Sequence, residues 1–262
     1  QILQSLPQAI QTMLDPADCG PACLSLCQDV QGETFEYPEE FFKERVHNIR
    51  RPKPDDFQIK QAVERIKNSK NPIIISGGGV FYSDAMEELS NFAVKHNIPV
   101  TQTVMGYSTM KRDHSHFVGP IGGLGGKAAN NLAKETDLAI CIGTKLADFT
   151  TGSWANFENP QFKLVSINIA RHDANKHLAD AVIGDAKVSL IELSNALGDW
   201  RSSDNWHKKS QDELRSWNEY VDKESGPTNQ DLPSYAHAVG AIYRNSDPTD
   251  IAVTAAGGLV GE

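Results

Sequence analysis

The sequence has few cysteines, and none of them forms a recognisable metal-binding pattern. Only four cysteines occur in 262 residues, too few for a disulfide scaffold of this size, so we predict a reduced, cytoplasmic protein. Cys19, Cys23 and Cys27 recur every fourth residue. They lack CxxC pairs and a nearby histidine, and Gly20-Pro21 would break a helix that aligned them. The sequence therefore predicts no metal site.

Signals for membranes and nucleic acids are also missing. No apolar stretch approaches the roughly 20 residues of a membrane span, and no signal peptide is recognised before the first domain. The formal net charge is −9, which does not favour nucleic acid or an anionic membrane as partner. With 39% hydrophobic and 23% charged residues, the composition is that of an ordinary globular protein.

Both ends of the chain look cut. There is no initiator Met, and Asp250 to Glu262 predicts a strand, beginning at 250–254, and a glycine-rich turn with nothing after it. A strand without a partner or a following helix is an unfinished unit. We therefore expect the chain to be a fragment of a longer protein.

Alternating strand and helix patterns predict the fold class. It is α/β, a doubly wound, mostly parallel Rossmann-like sheet with helices on both faces, plus partial flanking domains. Strands are predicted at 22–26, 72–76, 98–101, 138–142, 164–169 and 181–183, and helices at 1–14, after Asp55 or Asp56, after Asp84 with Glu87 completing a capping box, and at 127–135, 186–197 and 234–243. We divide the chain at 1–32, 33–52 (a linker), 53–198 (the central domain), 199–232 (a polar connector) and 233–262.

Three glycine-containing segments, 77–79, 122–126 and 143–148, are expected at the carboxyl ends of the parallel strands. In a parallel sheet, ligands bind past the carboxyl ends of the strands, so these segments together could cradle a diphosphate. Each is equally consistent with a tight turn and no ligand, and the full G-x-G-x-x-G is absent because Tyr82 occupies its last position. The candidate residues are Gly77, Gly78, Gly79, Gly122, Gly123, Gly125 and Gly143.

Asn168 ends a predicted strand where nucleotide-binding sites often place an acid for the ribose hydroxyls. An amide can still bond a hydroxyl, but it lacks the charged acceptor. With the seven glycines, Asn168 predicts at most a vestigial nucleotide site.

No residue is predicted to be catalytic. Ser76 precedes glycines but lacks the G-x-S-x-G elbow. His114 and His116 lie two apart in a predicted loop, where we expect surface side chains and not metal ligands. His172 and His177 flank Asp173 and remain weak candidates.

These segments resemble the middle portion of a thiamin-diphosphate enzyme of the acetolactate synthase superfamily. The markers are 74–79, 96–101, 119–130, 133–144 and 182–186, in family order over nearly the whole chain. Within that superfamily, 146–154, 157–160, 173–177 and 14–22 are most similar to the trihydroxycyclohexanedione hydrolases of myo-inositol catabolism.

The resemblance implies a three-domain protein. Residues 1–32 would be the tail of the pyrimidine-binding domain, 53–198 the central domain and 233–262 the start of the diphosphate-binding domain. Thiamin diphosphate and magnesium would lie between the first and third domains of two subunits, in a homodimer or homotetramer. Gly257 and Gly258 match the glycine turn near the diphosphate. The activating glutamate would lie upstream of Gln1, and the Gly-Asp-Gly motif downstream of Glu262.

The implied activity of the full-length enzyme is hydrolytic carbon–carbon cleavage of a small cyclic dione, with thiamin supplying the carbanion and electron sink. We expect the fragment alone to be inactive and to hold no cofactor tightly. FAD, which acetolactate synthases carry in the central domain, is not expected, because Asn168 and Gly143-Thr144-Lys145 depart from that pattern. The alternatives are an acetolactate synthase-like lyase or transferase and a nucleotide-binding module without catalysis. For the fragment itself, a structural spacer is favoured.

Overall fold

The computed structural model describes residues 1–247 and 249–253, which contain one parallel six-stranded sheet. Its strands are β1 (Pro72–Ser76), β2 (Val100–Gln102), β3 (Phe117–Pro120), β4 (Leu138–Ile142), β5 (Lys163–Asn168) and β6 (Asp180–Ile183). The spatial order is β3-β2-β1-β4-β5-β6, and every neighbouring pair is parallel. The predicted doubly wound α/β fold is confirmed.

Helices connect these strands and cover both faces of the sheet. They are α1 (Ile2–Leu14), α2 (Asp56–Lys67), α3 (Gly78–Tyr82), α4 (Met86–His96), α5 (Lys127–Glu135), α6 (Asp148–Thr151), α7 (Arg171–Ala174), α8 (Ala186–Leu197), α9 (Asp204–Glu224) and α10 (Tyr235–Arg244). Short 3-10 helices occupy Val30–Gly32, Glu39–Phe42, Val104–Gly106 and Lys176–Leu178. No helix in the described ranges has the length and apolar character that crossing a membrane requires.

Alternate residues of the central strands supply two separate hydrophobic cores. Ile74 of β1 lies in a core built with α2, α4 and α8. Ile73 and Ile75 lie in a second core with α5 and with Trp206 of α9. Because successive strand side chains point to opposite faces, a strand that is apolar at every position is buried on both sides. This explains why the run Pro72–Ser76 could be recognised from sequence.

One strand was missed and one was predicted wrongly. β3 was interpreted as part of a glycine-rich loop, because it is short and Gly119 within it has φ +103°. The strand predicted at 22–26 is absent. That segment is mostly exposed and non-regular, and in the described ranges no neighbouring strand pairs with it. An unpaired strand cannot satisfy its backbone hydrogen-bonding groups except through water.

Two predictions made at helix and strand ends also need comment. The capping box of Asp84 and Glu87 is wrong, because α4 begins at Met86 and its N-cap, Ala85, offers no side-chain cap. Asp84 has φ 52°, and its carboxylate lies 3.5 Å from Lys187 Nζ. The strand predicted from Asp250 is not present over 250–253, and Thr254, Gly257 and Gly258 lie outside the described residues.

The polar segment predicted as a surface helix or connector contains the longest helix in the described ranges, α9, which covers one face of the sheet. Trp206 is buried, and its Nε1 donates to the carbonyl oxygen of Pro72 at 2.8 Å. Farther along α9, Glu213 accepts from Asn131 Nδ2 at 2.8 Å. The apolar positions of α9 therefore belong to the second core, and its polar positions bind α5.

The buried carboxylate of Asp185 joins three separate parts of the chain. Asp185 caps α8 by accepting from the backbone N–H groups of Lys187 (3.0 Å) and Val188 (3.2 Å). Its second oxygen accepts from Arg51 Nη1 at 3.1 Å and Ser83 Oγ at 2.7 Å. One side chain thus joins the start of α8, the residue after α3 and the segment that precedes α2.

We predict that Asp185→Ala lowers the free energy of unfolding by about 2–3 kcal/mol, because it removes a helix cap and leaves Arg51 without its carboxylate partner. The matched control is Asp55→Ala. Asp55 is exposed and caps α2 through one bond to Phe57 N at 2.8 Å, so about 1 kcal/mol is expected. Urea denaturation followed by circular dichroism measures both losses. Equal losses would contradict the special role of Asp185.

Candidate functional site

The loops after β1 and β4 meet backbone to backbone at the carboxyl edge of the sheet. Gly77 N donates to Ile142 O at 2.8 Å, and Gly79 N donates to Gly143 O at 2.9 Å. Gly143 N in turn donates to Ile167 O at 2.8 Å. A Cβ atom on Gly79 would lie 2.6 Å from the Cα of Gly143, which is closer than carbon atoms approach without bonding. These glycines are therefore required for the two loops to touch.

Gly78 makes a similar approach to the loop after β2. A Cβ atom at this position would lie 2.9 Å from the carbonyl oxygen of Met105. The whole Gly77-Gly78-Gly79 turn is consequently enclosed by protein backbone on two sides.

The second glycine segment is tied to α5 and to α6. Gly122 N donates to Asn130 Oδ1 and Gly122 O accepts from Asn130 Nδ2, both at 3.0 Å. Gly123 N donates to Phe149 O at 2.7 Å, and Gly125 N donates to Gly122 O at 2.9 Å. These N–H groups are the ones that a phosphate would use, and each is bonded within the protein.

Asn168 is also committed to internal contacts. The side chain is 8% exposed; its Nδ2 donates to Thr144 O at 3.1 Å, and its Oδ1 accepts from Ala170 N at 2.9 Å. Both ends of the amide are thus used to join the loops after β4 and β5. The structure brings the predicted glycines and Asn168 to one edge of the sheet, where each takes part in contacts within the protein. Whether they are the remnant of a nucleotide site stays a prediction.

Large apolar side chains surround this glycine edge, and we call them the apolar rim. They follow four neighbouring strands, β1 to β4, and their exposed fractions run from 53% to 81%: Phe81, Tyr82, Val104, Met105, Tyr107, Leu124 and Phe149. Their placement at one edge of the sheet makes this rim a candidate interaction surface. The rim was missed from sequence, although apolar residues next to turn glycines, as in Val104-Met105-Gly106-Tyr107, were a visible signal.

The expectation that His114 and His116 lie on the surface is wrong for His116. That side chain is 6% exposed, and its ring stacks on His207 of α9 at a centroid distance of 4.2 Å. Burial lowers the pKa of His116 to about 4, with smaller contributions from neighbouring His207, His114 and Arg201. The loop containing His116 is covered by α9, a helix about 90 positions away that the local sequence does not reveal.

The remaining candidates do not assemble into a reactive centre. His177 packs on Trp154 at 4.5 Å, and Asp173 pairs with Lys176 at 2.5 Å. Cys19, Cys23 and Cys27 are exposed, whereas Cys141 is buried in β4, where burial raises the pKa of its thiol. Throughout 1–247 and 249–253, no three or more His, Cys, Asp or Glu side chains are grouped so that they could hold a metal ion.

Comparison with known proteins gives one family and a consistent set of relatives. Residues 59–193 match the family described as thiamine pyrophosphate enzyme, central domain. A 3D-(3,5/4)-trihydroxycyclohexane-1,2-dione hydrolase of Clostridium perfringens is 41% identical over 223 residues, covering 84% of this chain and 34% of the relative. Proteins of the same name from Bacillus cereus and Bacillus anthracis are 44% and 36% identical, covering 78% and 100% of this chain but 32% and 44% of the relatives. The chain thus spans about a third to under a half of their length.

We predict that Gly143→Ala destabilises the protein by about 2–4 kcal/mol. The new methyl group would lie 2.5 Å from the Cα of Gly79, and Gly143 has φ +60°, so a steric term adds to the backbone strain. Gly152→Ala is the control, because Gly152 is left-handed (φ +57°, ψ 46°) and the nearest atom to a new Cβ there belongs to the movable side chain of Asn156, 3.1 Å away. Backbone strain alone predicts about 1 kcal/mol there. Thermal denaturation compares the two, and similar losses would show that contact between the loops is unimportant.

Proposed function

Because the chain belongs to the family of thiamine pyrophosphate enzymes, whose central domain it contains, we propose that it serves in a thiamin-diphosphate-dependent hydrolase. The proposed substrate of the longer protein is a trihydroxycyclohexane-1,2-dione, a small cyclic dione. The observation that carries this proposal is the agreement of relatives bearing that hydrolase name across most of the chain.

The described residues do not themselves fit thiamin diphosphate and magnesium. No group of carboxylates or other ligands suited to the metal occurs among them, and the N–H groups of Gly77, Gly79, Gly123, Gly125 and Gly143 are bonded internally. Gly257 and Gly258, which match the family's diphosphate turn, lie outside the described ranges. In such enzymes the cofactor supplies the chemistry and the protein orients it, so we propose that this chain alone is inactive.

We propose that the central domain acts as a spacer that positions the domains on either side of it. The internal bonding of Gly79, Gly123, Gly143 and Asn168 supports this role, because each would have to exchange a protein partner for a ligand. The rival proposal is a nucleotide-binding module, which the same glycine segments would favour if they opened.

The apolar rim supports a second part of the spacer proposal, assembly into a homodimer or homotetramer. Its seven exposed apolar side chains lie on one edge of the sheet, where covering by another domain or subunit would remove them from water. Sedimentation velocity measures the assembly state. If the longer protein sediments as a monomer at concentrations where it is active, the proposed homodimer or homotetramer is contradicted.

Charge and cysteine chemistry support a proposal on location and partners. We propose a cytoplasmic protein without nucleic-acid or membrane partners, supported by a net charge of −9 and by three exposed cysteines without disulfide bonds. Cell fractionation with detection of the endogenous protein tests the location.

We predict that the longer protein, supplied with thiamin diphosphate and Mg²⁺, hydrolyses the cyclic dione, and that the 262-residue chain does not. Consumption of the dione and formation of the ring-opened acid are followed by NMR. Pyruvate is the comparison substrate, because condensation of two pyruvates would favour the acetolactate synthase-like alternative. Turnover of the dione by the 262-residue chain would contradict the proposed inactivity.

Titration calorimetry separates the spacer from the nucleotide-binding module. We predict no saturable heat when FAD, ADP or NAD is added to the chain, because the N–H groups of Gly79, Gly123 and Gly143 already have acceptors. An acetolactate synthase that carries FAD serves as the positive control. Saturable binding that Gly123→Asp weakens would favour the module. The substitution is a clean probe of the ligand, because a side chain at Gly123 would make only ordinary contacts within the protein.

A further inference from the structure

Four histidines surround the place where the chain enters α9. They are His96 at the end of α4, His114 and His116 before β3, and His207 in α9, and we call them the histidine cluster. The rings of His116 and His207 stack at 4.2 Å, and those of His114 and His116 lie 5.8 Å apart. His207 is the one member carried by α9, so this stack is a direct contact between α9 and the segment before β3.

The hydrogen bonds around His116 link it to the start of α9. Asn97 Nδ2 donates to Ser202 O at 3.3 Å and to Asp204 Oδ1 at 3.0 Å. The oxygen of the same amide therefore faces His116, whose Nε2 lies 3.2 Å away and acts as donor. His116 Nδ1 lies 3.0 Å from Ser115 Oγ, a hydroxyl that can donate to it. Both ring nitrogens are satisfied when the imidazole is neutral.

The surroundings of the two neighbouring imidazoles, those of His114 and His207, favour the neutral form of each. His114 Nδ1 accepts the backbone N–H of His116 at 3.1 Å, so that nitrogen carries no proton. His207 Nδ1 is buried and has no hydrogen-bond partner within the part of the chain that the structure describes. A proton placed there would be buried without an acceptor, which is costly.

Some charged groups near the cluster lower the pKa values of its histidines and others raise them. Burial is the largest influence and lowers the pKa of all four histidines. Arg201 adds to this effect at His96, His116 and His207, and Lys95 adds to it at His96. Asp113 beside His114 and Asp204 beside His207 oppose it. The lowering prevails at every member of the cluster.

We propose that the His116–His207 stack is a proton-operated latch, which holds α9 on the sheet at neutral pH and releases it in mild acid. Docked α9 keeps the rings stacked and neutral, whereas released α9 exposes them to water, where they bind protons readily. Acid therefore favours release. The buried indole of Trp206, bonded to Pro72 O at 2.8 Å, does not titrate and supports docking at every pH.

The direction and range of the effect follow from proton linkage. The pKa of docked His116 is about 4, against an ordinary value of 6.5. The docked state binds fewer protons, so its stabilisation is complete above 6.5 and is lost as the pH falls from 6.5 towards about 4. Because α9 leads into α10 and Arg244 of α10 donates to Ser225 O just after α9, release of α9 would also displace α10.

Hydrogen exchange read by mass spectrometry tests the latch on the intact chain. Between about pH 7.5 and about pH 5, after correction for intrinsic exchange rates, we expect protection of α9 amides to fall on the order of tenfold. Protection of β1 and β4 is expected to stay unchanged. Simultaneous loss in α9, β1 and β4 would mean acid unfolding of the whole domain and would overturn the proposal.

A double variant isolates the two rings. His116→Gln keeps a donor near Asn97, and His207→Phe keeps an aromatic ring in the stack, yet neither replacement titrates. We expect less than about threefold change in α9 protection over the same pH range. The matched control is His47→Gln with His172→Phe, the same replacements at exposed positions, which should keep the tenfold fall.

A double variant that retains the wild-type pH dependence would overturn the latch. Circular dichroism at neutral pH confirms that the variant is folded. If it is not, His207→Phe alone is the test, with a fall intermediate between those of wild type and the double variant expected, and an unchanged fall contradicting the proposal.

Discussion

The rest of the structure depends on direct backbone contact between the loops after β1 and β4. These strands are neighbours at the point where the strand order reverses, which is where a doubly wound sheet usually opens a ligand crevice. Here the Gly79 N–H donates to Gly143 O at 2.9 Å and closes that point. Gly78, next to this contact, lies against Met105 in the loop after β2. Gly122, in the loop after β3, lies against Phe149 in α6. The glycine edge is consequently a packed part of the protein, ringed by exposed apolar side chains.

The sheet could be predicted from sequence because its determinants are local. β1 and β4 are apolar at nearly every position, and α2 and α8 begin at Asp caps. Elements whose identity depends on distant contacts were harder. β3 contains a glycine and is recognisable only beside β2, and the apolar segment 22–26 forms no strand because nothing in the described ranges pairs with it.

The candidate site illustrates the same division between local and distant information. Sequence predicted that the glycines after the strands and Asn168 share one edge, since parallel strands deliver their carboxyl ends together. It could not say whether a glycine N–H faces a ligand or a carbonyl, because the acceptor for Gly123 is Phe149 O, 26 positions away in sequence. The surface position predicted for His116 was wrong for the same reason, because the ring that covers this side chain belongs to the distant helix α9.

Internal bonding at the glycine edge sets a threshold for any ligand there. A nucleotide that separated the loops would break the Gly79–Gly143, Gly123–Phe149 and Asn168–Thr144 hydrogen bonds. At roughly 1 kcal/mol net for each bond, the ligand would have to offset about 3 kcal/mol before it gained affinity. That is more than a hundredfold in the dissociation constant, by the rule that about 1.4 kcal/mol corresponds to tenfold. A domain bonded in this way does not depend on a nucleotide to hold these loops together, which is the property that the proposed spacer needs.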